Sequence, residues 1–473
     1  MPGLFSILNM GSQSLQAHQL GIEVSGHNLA NVNNPAYARQ RVVLQTATAQ
    51  QTSAGQLGSG VQAIAIEQVR ESIYDRQYES ETSITSYLQS QQKSLGMLQS
   101  YLNERVDRQS STTSDSSSTL ASGGIAAAMQ NLFDSFSKLS LNPSSLSDRT
   151  VLLQNARMLA SRFNQLSSDL NNLTSFLNDS ISSDVNKANS LLQDIVKLNK
   201  EISQQEFGSD ARANDLRDLR QQKLEELAGI FKIDVSEEPD GGVNVSVNGN
   251  LIISGLNQID SFETSTDANG NVVVVLKNSA NQIQSGGGSV QGAIDLRDQI
   301  IAAVKTSINN LAAQLIKEVN SIHSGGYSLN GTNGQDFFTG TDAATIRVND
   351  ALIQNPALIQ LNDSANSSNS NQVVNELAQL ATKKIVALNN STFSEAYRQV
   401  VENVGAEVSR VNQRLDDQNT IKNLILQKRN SVSGVSIDEE MTELMKYQRA
   451  FEASAKLISI VDDLLDSVLS MKR

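Results

Sequence analysis

The chain has 473 residues, which is enough for about three domains of roughly 150 residues each. It carries 37 Lys and Arg against 50 Asp and Glu, and the net charge of −13 argues against binding to nucleic-acid phosphates. The absence of Cys excludes disulfides and thiolate metal sites. Aromatic residues make up only 4%, and this composition suits long amphipathic helices with uncharged polar faces.

The N-terminus lacks the positive segment of a secretory signal peptide, because the first positive side chain after Met1 is Arg39. The longest apolar runs, such as residues 272–276, are far shorter than the ~20 residues of a membrane helix. We therefore predict a soluble protein without membrane insertion, which would need another route if it leaves the cell.

The first predicted unit, residues 1–66, is a helix followed by a hairpin. Leucine and isoleucine recur every seven residues, at Leu8, Leu15, Ile22 and Leu29. The helix is predicted to end in residues 28–35, because Asn tolerates left-handed backbone and Pro35 disfavours helix in the residue before it. Two short extended segments follow, joined by a glycine-rich turn.

Residues 67–230 predict the first part of a helical domain. A second helix is expected from about Glu67 to Asn103, and a Ser/Thr-rich connector at residues 109–124. The longest helix follows, with Leu152, Leu159 and Leu166 in heptad spacing and a four-residue stutter near Ile181. We take these heptads as the core of an intramolecular bundle.

At Phe231 the apolar period changes from helical to twofold. Residues 231–288 therefore predict a small β module, with hairpin turns at residues 239–242, 248–249 and 269–270. Residues 289–430 predict the second part of the helical domain, with a short loop-rich insertion near residues 325–372.

The last predicted unit, residues 431–473, is a long helix. Its apolar residues again recur every seven positions, at Ile437, Leu444, Phe451, Ile458 and Leu465, flanked by Met441. Ser436 and Glu439 have the spacing of a capping box at its start. The fold class is thus mainly α with a small β module (α+β), a long helical bundle or coiled coil in which the N- and C-terminal helices pair antiparallel in one domain.

The terminal helices are expected to be mobile in the monomer and ordered in an assembly. Each buried Leu, Ile or Phe contributes about 1.5–3 kcal/mol, but an isolated helix has no surface against which to bury it. We therefore interpret the apolar residues at both ends as an assembly interface between copies of the chain.

No constellation of residues predicts catalysis, a cofactor or a metal site. The three histidines, His18, His27 and His323, lack paired ligand spacing and predict polar packing or capping. The charged stretch at residues 215–220 predicts a solvated helix face rather than an acid–base pair. Residues 286–288 are three glycines without the Gly-Lys-Ser/Thr of a phosphate loop, so they predict a linker.

Two runs of sequence resemble the signatures of one family. Residues 25–40 contain Asn-Leu-Ala-Asn-Val-Asn-Asn-Pro-Ala-Tyr, and residues 434–441 read Gly-Val-Ser-Ile-Asp-Glu-Glu-Met, followed by Tyr447-Gln448-Arg449-Ala450-Phe451. The order and position of these runs resemble the flagellar axial family of rod, hook and hook-associated proteins. Asn34 and Ala36 depart from the usual Thr and Gly of that family, which puts a positive φ at Ala36 in doubt.

The interior is most similar to the hook–filament junction members of that family, in residues 292–298, 312–320 and 331–338 and at His323, Gly325 and Gly326. Longer members insert extra domains soon after Phe338, so an outermost domain is expected to be missing here. The resemblance spans nearly the whole chain.

The resemblance implies a non-enzymatic structural subunit of the extracellular bacterial flagellum that is secreted through the flagellar type III apparatus. Its implied partners are copies of itself, the hook protein, the second hook–filament junction protein and an export chaperone. The implied chaperone-binding residues are Leu444, Phe451, Ile458 and Leu465. The implied assembly interface comprises residues at both ends of the chain: Leu8, Leu15, Ile22, Leu29, Asn31, Asn33, Pro35, Tyr37, Ile437, Met441, Leu444, Phe451, Ile458 and Leu465.

Two alternatives remain open at this point. The chain could be another axial subunit, from the hook or distal rod, although those proteins have mostly β interiors. It could also be a secreted helical effector or adhesin whose heptads form oligomers.

Overall fold

The computed structural model describes residues 2–52, 55–102, 124–208, 211–365 and 370–471. The predicted connector at residues 109–124 lies outside these ranges except for Gly124, and so do residues 366–369 of the predicted loop-rich insertion near residues 325–372. The fold is predominantly helical with small antiparallel sheets, so the predicted fold class is confirmed.

The N-terminal part contains helix α1 (Pro2–Ala30) and two hairpins. Strands β1 (Gln40–Thr46) and β4 (Val61–Gln68) pair antiparallel, and β2 (Gln50–Thr52) pairs with β3 (Gly55–Leu57) between them. The predicted helix end and the predicted pairing are both present. The second helix, α2 (Ser72–Leu102), begins five residues later than Glu67, because β4 continues through Glu67 to Gln68.

The helical body is organised around one very long helix. Helices α3 (Ile125–Leu139) and α5 (Asn214–Ile230) flank α4 (Leu146–Glu206), whose 61 residues extend about 90 Å at 1.5 Å per residue. The heptad residues of α4, including Leu152, Leu159 and Leu166, are completely or almost completely buried. Burial continues through the stutter at Ile181, so the intramolecular core predicted for these heptads is confirmed.

The β module packs against α4. Four strands form an antiparallel sheet in the order β5 (Ile233–Glu237), β6 (Val243–Val247), β7 (Asn250–Ser254), β8 (Asn257–Gln258), and β9 (Phe262–Thr266) pairs with β10 (Val272–Leu276). The turn between β6 and β7 is Asn248-Gly249, both with positive φ, as the hairpin signal predicts. Asn189 of α4 donates to Phe262 O at 2.7 Å and fixes β9 to the helix.

The second half of the body continues with α6 (Gly288–Asp295), a π-helical turn (Leu296–Ile301) and α7 (Ala302–His323). The loop-rich segment that follows holds β11 (Phe338–Thr339), β12 (Arg347–Val348), α8 (Asp350–Gln354) and α9 (Gln372–Gln379). Helix α10 (Phe393–Ser433) then returns along α2, and α11 (Ile437–Ser470) ends the fold.

Candidate assembly site at the chain ends

Helices α1 and α11, called here the terminal pair, pack antiparallel at close range. A Cβ added at Gly11 would lie 2.9 Å from Ile458 Cγ1, and one added at Gly21 would lie 2.6 Å from Tyr447 Cδ1. Glycine at these two positions therefore lets the helix backbones approach more closely than other residues permit. The predicted pairing of the N- and C-terminal helices is confirmed.

The terminal pair is separate from the main core. The continuous hydrophobic cluster runs through α2–α10 and the β module, and among the residues that the structure describes it contains none of α1 or α11. Among the described residues of the terminal pair, the buried apolar side chains are Ala17, Val24 and Val461. The pair therefore has only a thin hydrophobic seam of its own.

The predicted heptad residues of α1 lie at the edge of that seam. Leu8, Leu15, Ile22 and Leu29 are partly buried, whereas small residues such as Gly11 fill the centre. The Leu and Ile heptad alone did not reveal the small-residue seam. The small-residue seam is indicated by Gly11 and Gly21, which contact α11, and by Ala17, which is buried.

On α11 the predicted residues divide into two groups. Leu444, Phe451, Ile458 and Leu465 are partly buried. Ile437 and Met441 are exposed by 52% and 42%.

Other apolar side chains of α11 are exposed as well. Three of them, Leu457, Ile460 and Leu464, follow one another at helical spacing and are called here the distal apolar patch. Met445, Leu469 and, in α1, Phe5 are exposed too. Helix α11 therefore exposes apolar side chains near its start, at Ile437, Met441 and Met445, and again at the distal apolar patch, and both regions are open to other molecules.

The end of α1 is fixed by a buried polar cluster around Asn28. The Asn28 side chain donates to Gln40 O at 2.8 Å and to Glu440 Oε2 at 3.0 Å, and it accepts from Tyr37 Oη at 2.7 Å and from Gln40 N at 2.9 Å. Arg39 Nε lies 2.6 Å from Glu440 Oε1 and completes this terminal polar cluster: Asn28, Tyr37, Arg39, Gln40 and Glu440. The cluster joins the two family-like runs of sequence, which are about 400 residues apart.

The remaining signature residues have other positions. Asn31 donates to His27 O at 3.0 Å and caps the end of α1, whereas Asn33 and Pro35 are exposed. Ala36 is not among the described residues with positive φ, so the chain turns here without the backbone conformation that Gly would favour. The ring of Tyr37 is buried, and its pKa is raised by burial and by the nearby carboxylates of Asp215, Asp218 and Glu440.

The predicted capping box at Ser436 and Glu439 is wrong. Ser436 precedes α11, but its side chain makes no capping hydrogen bond. The carboxylate of Glu439 instead accepts from Arg39 Nη1 at 2.7 Å, because the hairpin lies next to the start of α11. A capping box is formed at α10, between Thr392 and Glu395.

The prediction of a solvated face at residues 215–220 is also wrong. Asp218 and Arg220 are 5% exposed, although Asp215 and Leu219 are exposed. Asp218 Oδ2 accepts from Ala38 N at 3.1 Å, and Arg220 Nη1 donates to Asn199 Oδ1 at 3.0 Å. Helix α5 therefore anchors both the N-terminal hairpin and α4, which its charged sequence does not indicate.

His27 and His323 take part in polar packing, as predicted, whereas the buried Nδ1 of His18 has no hydrogen-bond partner among the described residues. His18 packs against Tyr447 and His27 lies edge-on to Tyr37. His323 Nδ1 lies 2.8 Å from Gln335 O. Within the described ranges, no group of three or more His, Cys, Asp or Glu is arranged to hold a metal ion, and no helix has the length and apolarity to span a membrane.

Comparison with protein families gives two matches. Residues 110–338 match the family described as the flagellar hook-associated protein FlgK helical domain. Residues 426–471 match the family described as flagellar basal body rod FlgEFG protein C-terminal. This match covers the last turns of α10 and the whole of α11.

Full-length relatives give the same result. The chain is 27% identical to flagellar hook-associated protein 1 of Bacillus subtilis, over 99% of both chains. It is 24% identical to flagellar hook-associated protein 1 of Salmonella typhimurium, over 99% of this chain and 100% of that one.

A solved structure shows the same fold. The structure of the flagellar hook junction protein FlgK from Burkholderia pseudomallei superimposes with a TM-score of 0.62 at 15% identity, over 76% of this chain and 100% of that one. Together with the helical-domain match and the full-length relatives, these findings show that the chain belongs to the FlgK family of flagellar hook-associated proteins.

Proposed function

We propose that this chain is a structural subunit at the junction between the flagellar hook and filament, and that it assembles with copies of itself through the terminal pair. The observation that carries the proposal is the distal apolar patch on a helix pair that lies outside the main core. Covering Leu457, Ile460 and Leu464 on assembly would contribute up to about 1.5–3 kcal/mol for each complete side chain. A closed ring repeats that contribution at each contact between subunits.

The proposal includes neighbours above and below the ring. The relatives named hook-associated protein 1 and the structure named hook junction protein support contacts with the hook protein on one side. We further infer contacts with the second hook–filament junction protein on the other side, and a location in the extracellular part of the flagellum.

Export through the flagellar type III apparatus is part of the same proposal. In the folded chain, Leu444, Phe451, Ile458 and Leu465 are partly covered. Before α1 packs against α11, these side chains would be open, and an export chaperone would cover them during that interval. The chaperone and α1 would then compete for the same face of α11.

The experiment uses purified full-length chain added to hook-bearing cells that lack their own junction protein. The test variant carries Ile460→Asp and Leu464→Asp, which place two carboxylates in the distal apolar patch. The control carries Ser459→Asp and Ser467→Asp, which add the same charge at exposed polar positions of the same helix. Electron microscopy measures the fraction of hooks that carry filaments.

We expect wild type and the control to restore filaments, and the test variant to leave bare hooks while its helical circular dichroism is unchanged. Burying a carboxylate in an apolar contact costs several kcal/mol, enough to prevent ring closure. Normal filaments on the test variant would contradict assembly through this patch. Immunogold labelling along the hook, instead of at its tip, would favour a hook subunit.

A further inference from the structure

The terminal pair and the N-terminal hairpin meet the helical body outside its hydrophobic core. Residues 2–68 and α11 are called here the terminal unit. Among the residues that the structure describes, no apolar side chain of this unit belongs to the main core or packs against it. Internally, the terminal unit is held by the seam between α1 and α11 and by the polar cluster around Asn28. Its position on the body is therefore fixed by polar contacts and by the chain connections.

The polar contacts converge on the first turns of α5. Asn214 Nδ2 donates to Ile66 O at 3.0 Å, and Asn214 O accepts from Gln68 Nε2 at 2.8 Å. One helical turn later, the carboxylate of Asp218 accepts from Ala38 N at 3.1 Å and from Gln68 Nε2 at 2.8 Å. Asn214 and Asp218 are only 6% and 5% exposed. These two residues and their three partners are called here the latch.

The two chain connections between the terminal unit and the body lie side by side. Strand β4 reaches α2 through residues 69–71, and α10 reaches α11 through residues 434–436. The backbone of Arg39 touches both connections, because its N–H donates to Ser433 O at 2.8 Å and its C=O accepts from Val69 N at 2.7 Å. Two short connections at one place form a single pivot for the terminal unit.

The latch lies next to this pivot. Arg70 of the first connection has its Nη1 3.3 Å from Asp218 Oδ1. Asp215 adds an outer contact, since it accepts from Gln40 Nε2 at 2.9 Å, but its side chain is 67% exposed and water competes for it. The buried bonds of Asn214 and Asp218 are therefore the contacts that can fix the angle at the pivot.

A buried polar contact is specific in geometry but can separate in water. Hydrogen bonds whose groups are all paired favour one arrangement, because each donor must meet its acceptor at the right distance and direction. When such a contact opens, water replaces the lost partners, and little apolar surface is exposed. The latch therefore suits an interface that holds one angle and can be released without unfolding either side.

We propose that Asn214 and Asp218 are positioning residues that set the angle of the terminal unit on the helical body, and that the unit swings as one piece about the pivot when their hydrogen bonds break. The angle at which α1 and α11 project is then determined by two side chains in the middle of the sequence. What this angle means for assembly rests on the proposed function, whereas the positioning itself does not.

The test measures the distance between two spin labels in the full-length chain by double electron–electron resonance. The chain has no Cys, so the labels attach only to introduced cysteines. Ser459→Cys places one label on α11, and Lys200→Cys places the other near the end of α4, both at exposed positions. In the chain with an intact latch we expect one narrow distance distribution.

The test variant adds Asn214→Ala and Asp218→Ala, which remove the hydrogen bonds that these two side chains make. We expect the distance distribution to widen about twofold, because the angle at the pivot is no longer held. Amide protection in α1 and the helical circular dichroism should be unchanged. The matched control adds Gln222→Ala and Asp234→Ala, the loss of one amide and one carboxylate at exposed positions of the body, and should keep the narrow distribution.

An unchanged distribution in the test variant would overturn the proposal. A loss of amide protection in α1 would overturn it too, because the terminal unit would then unfold instead of swinging. If the test variant does not fold, Gln68→Ala takes its place, since it removes two hydrogen bonds of the latch from the side of the hairpin. The same widening is then expected, and a narrow distribution contradicts the latch. None of these outcomes depends on whether the chain joins hook and filament.

Discussion

Gly21 of α1 lies directly against the ring of Tyr447 of α11, so close that a Cβ at Gly21 would stand 2.6 Å from the ring. This contact sets the distance between the two terminal helices. Since the seam has few fully buried apolar residues, the close approach of the backbones contributes a large share of its packing.

Replacing Gly21 by Val should separate the terminal pair, because the new side chain and the ring of Tyr447 cannot occupy the same space. We expect amide protection in α1 to fall at least tenfold and filament formation to be lost, while the melting of the helical body is unchanged. Gly26→Ala is the matched control, since no atom lies within 4 Å of a Cβ at Gly26. Equal protection in the two variants would show that the contact is not needed.

Asn28→Ala should destabilise the terminal pair by about 2–4 kcal/mol, because it removes four hydrogen bonds and leaves buried Glu440 with a single partner. Amide exchange along α1 in urea measures the loss. Asn33→Ala, five residues away at an exposed position, should change stability by less than about 0.5 kcal/mol. A similar loss in both variants would contradict the division of the signature into buried and exposed residues.

His323 should make the body sensitive to acid. Burial lowers its pKa to about 4, and Gln360 N donates to its Nε2 at 3.0 Å, so the folded chain holds the ring neutral. A lowered histidine pKa contributes stability that is present above the unfolded value of about 6.5 and is lost as the pH falls toward 4. Between pH 7 and pH 5 this loss amounts to about 2 kcal/mol.

The pKa of Glu79 is raised by burial to about 7 and that of Asp218 to about 6, so these two carboxyl groups change stability in the opposite direction over part of this range. The comparison between variants is therefore the informative one. Urea unfolding at pH 7 and pH 5 should show that His323→Gln loses about 2 kcal/mol less on acidification than wild type. His27→Gln, at a half-exposed position, should behave like wild type. Equal losses in wild type and His323→Gln would refute the assignment.

Two neighbouring residues of α4 test which heptad positions form the core. Leu159 is completely buried, and Leu159→Ala should lower the free energy of unfolding by about 2–5 kcal/mol. Met158 is 49% exposed, and Met158→Ala should lower it by less than about 1 kcal/mol. Neither change should affect protection in α1, because the terminal pair does not share this core.

The sequence predicted the long helices and hairpins well, since periodicity is a local property of the chain. Leu152 and Leu159 repeat with the helix, and Asn248-Gly249 can turn a hairpin without distant help. Antiparallel pairing of the end helices was also predicted from their matching heptads.

Contacts between distant residues were predicted poorly, because local pattern does not record them. Glu439 has the spacing of a capping residue, but its carboxylate accepts a hydrogen bond from Arg39, which is distant in sequence, instead of capping α11. Asp218 and Arg220 look solvated in a charged stretch, but their partners belong to the hairpin, α4 and the β module. Gly21 gives no apolar signal, although it makes one of the tightest contacts in the seam.

Because α1 packs antiparallel against α11, the first helix to be synthesised cannot form its native contacts until the last helix has been synthesised. A truncated chain that ends before residue 437 lacks α11, so its α1 has no partner helix even if the helical body has folded. The body also holds the two ends side by side, so their meeting costs little additional loop-closure entropy once α2 and α10 are in place. Only a chain translated through α11 can therefore form the terminal pair, the part through which we propose that it assembles.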